Sequence, residues 1–320
     1  MEKKEQNFRR NYYTSDDSGK VAIAAMLAPL LASFLFVLLM GAIANAVELP
    51  EGVELSSCLW YSIPLTFLAP ACFALIFFLY NKIAKISNGA VNIKPNIGWR
   101  NALICIAVGV VSLFGMMYFT GCIDKVLSLT GYKLAEGLGL PLDNFGWFVL
   151  NLLVLAILPA IFEELIFRGM ILNGLRKSCS EFGAIAMSAL LFALTHGNLE
   201  QLIYPFIMGL VLGWIAVRTG STFASMIVHL VNNSLVVLLA FCKANLVSAT
   251  IFWWEILLAF VLLALTGVII YLIDRFYFKH QNQRESVIAD RGKMSVFVYM
   301  AIAVGVVLLI SSTILNFTSN

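Results

Sequence analysis

The chain has 320 residues, of which 61% are hydrophobic and only 12% charged, and its mean hydropathy is +0.90. A soluble globular domain carries about 25% charged residues, so the composition excludes a water-soluble fold and indicates an all-α polytopic membrane protein. A net charge of +3 is too small to argue for nucleic acid as a partner. The cysteines (Cys58, Cys72, Cys105, Cys122, Cys179, Cys242) show no paired metal spacing and read as small apolar packers, not as a disulfide framework.

A helix needs about 20 mainly apolar residues to cross the hydrocarbon core. In chain order the candidates are 21–47, 59–80, 102–122, 145–162 with its continuation, 183–196, 202–217, 222–242, 250–273 and 295–315. The spacing therefore predicts a bundle of about eight or nine transmembrane helices, with 183–196 the shortest. Ala44-Asn45-Ala46 resembles a signal-cleavage site. The apolar run before it is well beyond the roughly 7–15 residues of a signal peptide, so the first segment is read as a retained span.

Seventeen of the 21 Lys and Arg fall in 1–20, 81–101, 174–182, 218–221 and 274–294. Lys125, Lys133 and Lys243 fall on the other side, where the first loop also holds Glu48, Glu51 and Glu54, and Arg168 lies within a span. By the positive-inside rule this asymmetry places the N-terminus of a multi-pass membrane protein in the cytoplasm. Residues 1–20 and 276–293 read as mobile cytoplasmic segments.

Ionisable groups within apolar spans are costly and therefore candidates for function. Glu163 and Glu164 are adjacent in Leu158-Pro-Ala-Ile-Phe-Glu-Glu-Leu-Ile-Phe-Arg168, and two of three histidines, His196 and His229, lie in equally apolar stretches. Residues four apart share a helix face whereas neighbours diverge by about 100°. Glu164 can thus pair with Arg168 as a structural charge, while Glu163 points elsewhere, free to act as a general base. Pro159 leaves a carbonyl unbonded and bends this helix. Counted from the polar turn at Ser180, Glu163 and His196 lie seventeen and sixteen residues away, which is about 25 Å of helix for each. His229 lies nine residues from Gly220, about 14 Å, so the three groups can meet inside the bundle. His229 and Asn233 present an imidazole and a carboxamide from one face, suited to stabilising an oxyanion. Asn232 is the neighbour easily confused with Asn233. Gly209-Leu-Val-Leu-Gly213 reads as close helix packing, and His280 as a solvated residue.

The motifs Glu163-Glu164-x-x-x-Arg168, Phe192-x-x-x-His196 and His229-x-x-x-Asn233, in this order on successive apolar segments, resemble the type II CAAX prenyl endopeptidase family, which includes the bacterial CPBP (Abi) intramembrane proteases. The resemblance covers roughly 145–240. It implies a multi-helix bundle with a conical intramembrane catalytic cavity open to the cytoplasm. It also implies that Glu163 and His196 activate the attacking water, that His229 and Asn233 stabilise the oxyanion, and that Glu164 and Arg168 hold the site or contact substrate. The chain then divides into a tail (1–20), N-terminal helices (21–144), a CAAX protease-like core (145–242) and C-terminal helices (243–320) with a cytoplasmic loop (274–294).

The expected function is hydrolysis of a peptide bond in a membrane-associated peptide or protein, in or at the lipid bilayer. No cofactor is favoured. A Zn²⁺ ion held by Glu163, His196 and His229 is the rival account, but the chain lacks the HExxH helix of zincins, and Glu163 cannot readily serve as both ligand and base. Two other classes compete. A proton-coupled transporter or channel would use the buried Glu and His as a relay, although no inverted repeats are visible. A catalytically inactive scaffold or bacteriocin self-immunity protein would not need the intact set of polar groups.

Overall fold

The computed structural model describes residues 9–47, 55, 58–134, 140–243, 253–278 and 292–318. The acidic first loop (Glu48, Glu51, Glu54) and His280 lie outside them. Nine helical rods account for most of the rest: α1 (Ser15–Val47), α2 (Leu59–Ile83), α3 (Trp99–Leu129), α4 (Phe145–Leu175), α5 (Glu181–Leu194), α6 (Ile203–Thr219), α7 (Thr222–Phe241), α8 (Trp253–Ile273, continued by a π-helical turn Asp274–Phe278) and α9 (Val296–Thr318). Among the described residues seven helices are long and apolar enough to cross a membrane, while α5 and α6 are apolar but shorter. The protein is an integral, multi-pass, all-α membrane protein. Its six cysteines are free thiols.

Local chemistry sets the helix ends. Thr14 and Asp17 cap the start of α1 reciprocally, the backbone N–H of Thr14 donating to Asp17 Oδ2 (2.8 Å) and that of Asp17 to Thr14 Oγ1 (3.2 Å). The helix therefore begins at Ser15, ahead of the apolar run, and continues through Ala44–Ala46. Asn144 caps α4 by accepting from the N–H of Trp147, and Ser180 caps α5 by accepting from that of Gly183. Gly220, at φ +62°, ends α6 in the left-handed conformation that lets α7 start two residues later.

Two faces follow from the contacts between helix ends. On one, Arg10 pairs with Asp17, Ser295 donates to Asp16, the hydroxyl of Ser221 donates to the carbonyl of Lys94, and Arg218 pairs with Asp274. This face carries the α4–α5 turn at 176–180 and the α6–α7 turn at Gly220, and is called the basic face below. On the opposite face Lys125 pairs with Glu255 (3.1 Å), and Asn316 Nδ2 donates to Tyr132 Oη (2.7 Å).

The pair α5–α6 does not reach that opposite face. Its helices of 14 and 17 residues are about 21 and 26 Å long at 1.5 Å per residue, short of a hydrocarbon core of about 30 Å. The loop 195–202 that joins them thus ends at membrane depth. Such non-helical backbone is tolerated where it lines a cavity in the protein, and here it does. The pairing of α5 with α6 is close because Gly209 and Gly213 lack side chains: a Cβ on Gly209 would sit 2.9 Å from Ala189 Cα, and one on Gly213 would sit 3.0 Å from Ile185 Cγ2. The Gly-x-x-x-Gly pattern is a packing seam, as its spacing indicated.

Candidate active site

The site is built on α4, whose hydrogen-bonding pattern changes twice: Leu152–Ile157 and Leu165–Leu172 are π-helical on either side of Leu158–Glu164. Pro159 sits between them and has no N–H to give to the carbonyl of Leu155, its α-helical partner. That carbonyl accepts instead from Nδ2 of Asn233 on α7, at 2.9 Å.

The two glutamates separate as their spacing indicated. Glu164 is fully buried and its Oε1 accepts from Arg168 Nη1 at 2.9 Å. The same oxygen also accepts from His229 Nδ1 at 2.9 Å. Arg168 is held from two more sides, its Nη2 donating to the carbonyl of Gly209 (3.2 Å) and its guanidinium lying 4.6 Å from the centroid of the Phe192 ring. By distance and angle, Glu164 Oε2 and Arg168 Nε in this buried pair have no hydrogen-bond partner among the described residues. Glu163 turns the other way, into a cavity, where its Oε2 lies 3.8 Å from His229 Nε2.

His196 closes α5. Its Nδ1 donates to the carbonyl of Phe192 (3.0 Å), which assigns that proton and leaves Nε2 as an acceptor. The Phe192 ring meets both imidazoles edge-on, with centroids 5.1 Å from His196 and 6.1 Å from His229. Phe192 thus sits between the buried cation and both histidines, and fixes their spacing.

Asn233 is oriented by a chain of hydrogen bonds from α6. Tyr204 Oη donates to Asn232 Oδ1 (2.8 Å), and Asn232 Nδ2 donates to Asn233 Oδ1 (3.2 Å). With its oxygen so occupied and one amide hydrogen on Leu155, Asn233 retains one N–H.

Glu163, His196, His229 and Asn233 line one cavity of about 670 Å³, together with apolar Leu113, Met117, Met208, Val236 and Leu239 and polar Thr120, Asp124, Glu200, Gln201 and Tyr204. The volume falls within the roughly 300–1,000 Å³ of small-molecule sites. Among the described residues no group of three or more His, Cys, Asp and Glu side chains is arranged to hold a metal ion.

Comparison with known proteins points to the same stretch of chain. Residues 145–235 match the family model described as type II CAAX prenyl endopeptidase Rce1-like. The match is to an Rce1-like domain and covers less than a third of the chain. That domain starts at the first residue of α4, ends two residues past Asn233, and so holds all six charged or polar residues of the three motifs. The chain is also 27% identical over 171 residues to "Putative membrane peptidase YdiL" of Bacillus subtilis (strain 168), covering 53% of this chain and 68% of that one. No solved structure matches the chain. Both similarities point to a membrane peptidase.

Some of the Rce1-like site could not be read from spacing. The bond from His229 to Glu164 joins residues 65 apart, and that from Tyr204 to Asn232 joins residues 28 apart. One signal for the Asn233 contact was available: Pro159 leaves a carbonyl without a donor, and a carboxamide in a neighbouring apolar span is the kind of group that fills such a vacancy.

Proposed function

We propose that the protein is an intramembrane endopeptidase that hydrolyses a peptide bond of a membrane-associated polypeptide without a metal, using Glu163 as base. The observation that carries this reading is the convergence of Glu163, His196, His229 and Asn233, from three helices, on one cavity whose remaining wall is largely apolar. An apolar wall suits a substrate segment that arrives within lipid, and four polar groups at one level suit an attacking water and a developing oxyanion.

Each step follows from the protons the site can hold. Water bound between Glu163 and His196 gives one hydrogen to the Glu163 carboxylate and hydrogen-bonds through the other to the free Nε2 of His196. Its oxygen attacks the carbonyl carbon, and the carbonyl oxygen takes the negative charge. Asn233 meets that oxygen with its remaining N–H. His229, anchored through Nδ1 on the Glu164 carboxylate, presents Nε2 to it and donates there when both ring nitrogens carry a proton. Collapse of the intermediate breaks the C–N bond, and the proton held on Glu163 passes to the departing amine. Glu164 and Arg168 act behind His229 and touch no substrate.

The test is cleavage of a peptide library, including lipid-anchored and prenylated members, by purified protein in liposomes. Wild type is assayed beside Glu163→Ala and His196→Ala, with and without a strong chelator. Cleavage lost in both variants and unchanged by the chelator is expected. Chelator-sensitive cleavage would overturn the metal-independent reading, and Glu163-dependent proton flux without cleavage would replace hydrolysis by transport.

A further inference from the structure

The cavity has a closed side and an open side, and they correspond to the two faces of the bundle. Towards the basic face the catalytic level is floored by the Glu164–Arg168 pair and by Leu165–Leu172, every residue of which is buried. Towards the opposite face the wall continues through Asp124 and Thr120 in the last turns of α3, Leu134 beyond its end, and Glu200 and Gln201 in the loop 195–202. Asp124 lies five residues from the end of α3, or about 8 Å of helix, so the lining runs from mid-membrane nearly to that surface. The shortness of α5 and α6 produces this opening, because their loop stops below the surface that the long helices reach.

The charge pattern sets which face this is. Among the described residues twelve Lys and Arg lie at the closed side, and only Lys125, Lys133 and Lys243 at the open one. The positive-inside rule puts the richer side in the cytoplasm. From these two observations together we infer that the active site is entered from the extracytoplasmic face, and that its substrate is a polypeptide segment presented from outside the membrane or in its outer leaflet. This inference rests on the hydrolase reading for the word substrate, but on geometry and charge alone for the side. It departs from the cytoplasmic opening that the family resemblance implied. In this chain a cytoplasmic opening would require the basic face to lie outside.

The test uses the full-length chain in cells, cleared of native cysteines and carrying one reporter at a time: Gln201→Cys at the cavity mouth, Lys177→Cys in the 176–180 turn, or native Cys242 restored at the end of α7. All three positions are exposed. A membrane-impermeant maleimide should label Gln201→Cys and Cys242 in intact cells, and Lys177→Cys only after permeabilisation. The reverse pattern, or labelling of all three in intact cells, overturns the inference. Labelling of Cys242 with protection of Gln201→Cys also overturns it, since the mouth would then lie elsewhere. Each reporter chain is checked for membrane insertion by labelling of the permeabilised sample. The readout does not depend on turnover: the expected pattern in a chain that cleaves nothing would remove the hydrolase reading and leave the sidedness standing.

Discussion

Asn233 Nδ2 donates to the carbonyl of Leu155 at 2.9 Å, a carbonyl that is available because Pro159 cannot bond it. A helix-breaking residue thus supplies an anchor for the carboxamide proposed to face the oxyanion. Pro159→Ala gives Leu155 an intrahelical donor and takes the anchor away. The expected result is a fall in kcat with little change in KM, because only transition-state geometry is lost. Asn233→Ala should cost about 10²–10³ in kcat, the usual cost of losing one oxyanion donor. Steady-state kinetics on the two variants checks both.

The bonds from Tyr204 to Asn232 and from Asn232 to Asn233 orient the same carboxamide from the other side. Tyr204→Phe should lower kcat by roughly 2- to 10-fold, matching the ~0.5–1.5 kcal/mol of one hydrogen bond. In the background of Asn233→Ala the same substitution should cost nothing further, since nothing remains to orient. An additive loss in the double variant would show that Tyr204 acts through general stability and not through Asn233.

Glu164 and Arg168 are buried completely and bonded to each other. Glu164→Ala strands the guanidinium and should destabilise the protein by ~3–5 kcal/mol, read as a lower unfolding midpoint in detergent. The double variant Glu164→Leu, Arg168→Met removes both charges and should recover much of that stability. It should not recover turnover, because His229 Nδ1 has lost its carboxylate. Recovery of turnover would contradict the orienting role given to Glu164.

What could be read from the residues alone follows physical range. The apolar runs gave the helices, and a four-residue spacing separated Glu164 from Glu163, because both are governed by the periodicity of one helix. Helix length from the turn at Ser180 put Glu163 and His196 at a common depth of about 25 Å, whereas the count of nine residues from Gly220 put His229 at about 14 Å, a mismatch that counting alone did not close. The partners that act across helices were not legible: His229 on Glu164, Arg168 on the Gly209 carbonyl, and Tyr204 on Asn232. Each depends on the rotation of one helix against another, which no local spacing encodes. The direction of the cavity escaped for a different reason. The shortness of 183–196 was visible, but its effect on which face stays open depends on the longer helices around it.

The close α5–α6 seam sets the height of His196 and holds the Gly209 carbonyl against Arg168. Gly209→Ala places a methyl group 2.9 Å from Ala189 and should cost ~1–3 kcal/mol through overpacking. Activity should fall more steeply than stability, as the shift moves Arg168, Phe192 and both histidines together. Parallel thermal unfolding and turnover measurements check this, and equal proportional losses would count against the coupling.

The central claim is that Glu163 is the base, and Glu163→Gln tests it with the least disturbance. Glutamine keeps the volume and the hydrogen-bonding capacity but cannot take a proton from water. Peptide turnover by purified Glu163→Gln should fall to background while its unfolding midpoint and peptide binding stay at wild-type values. Turnover that persists within a few-fold of wild type would contradict the account.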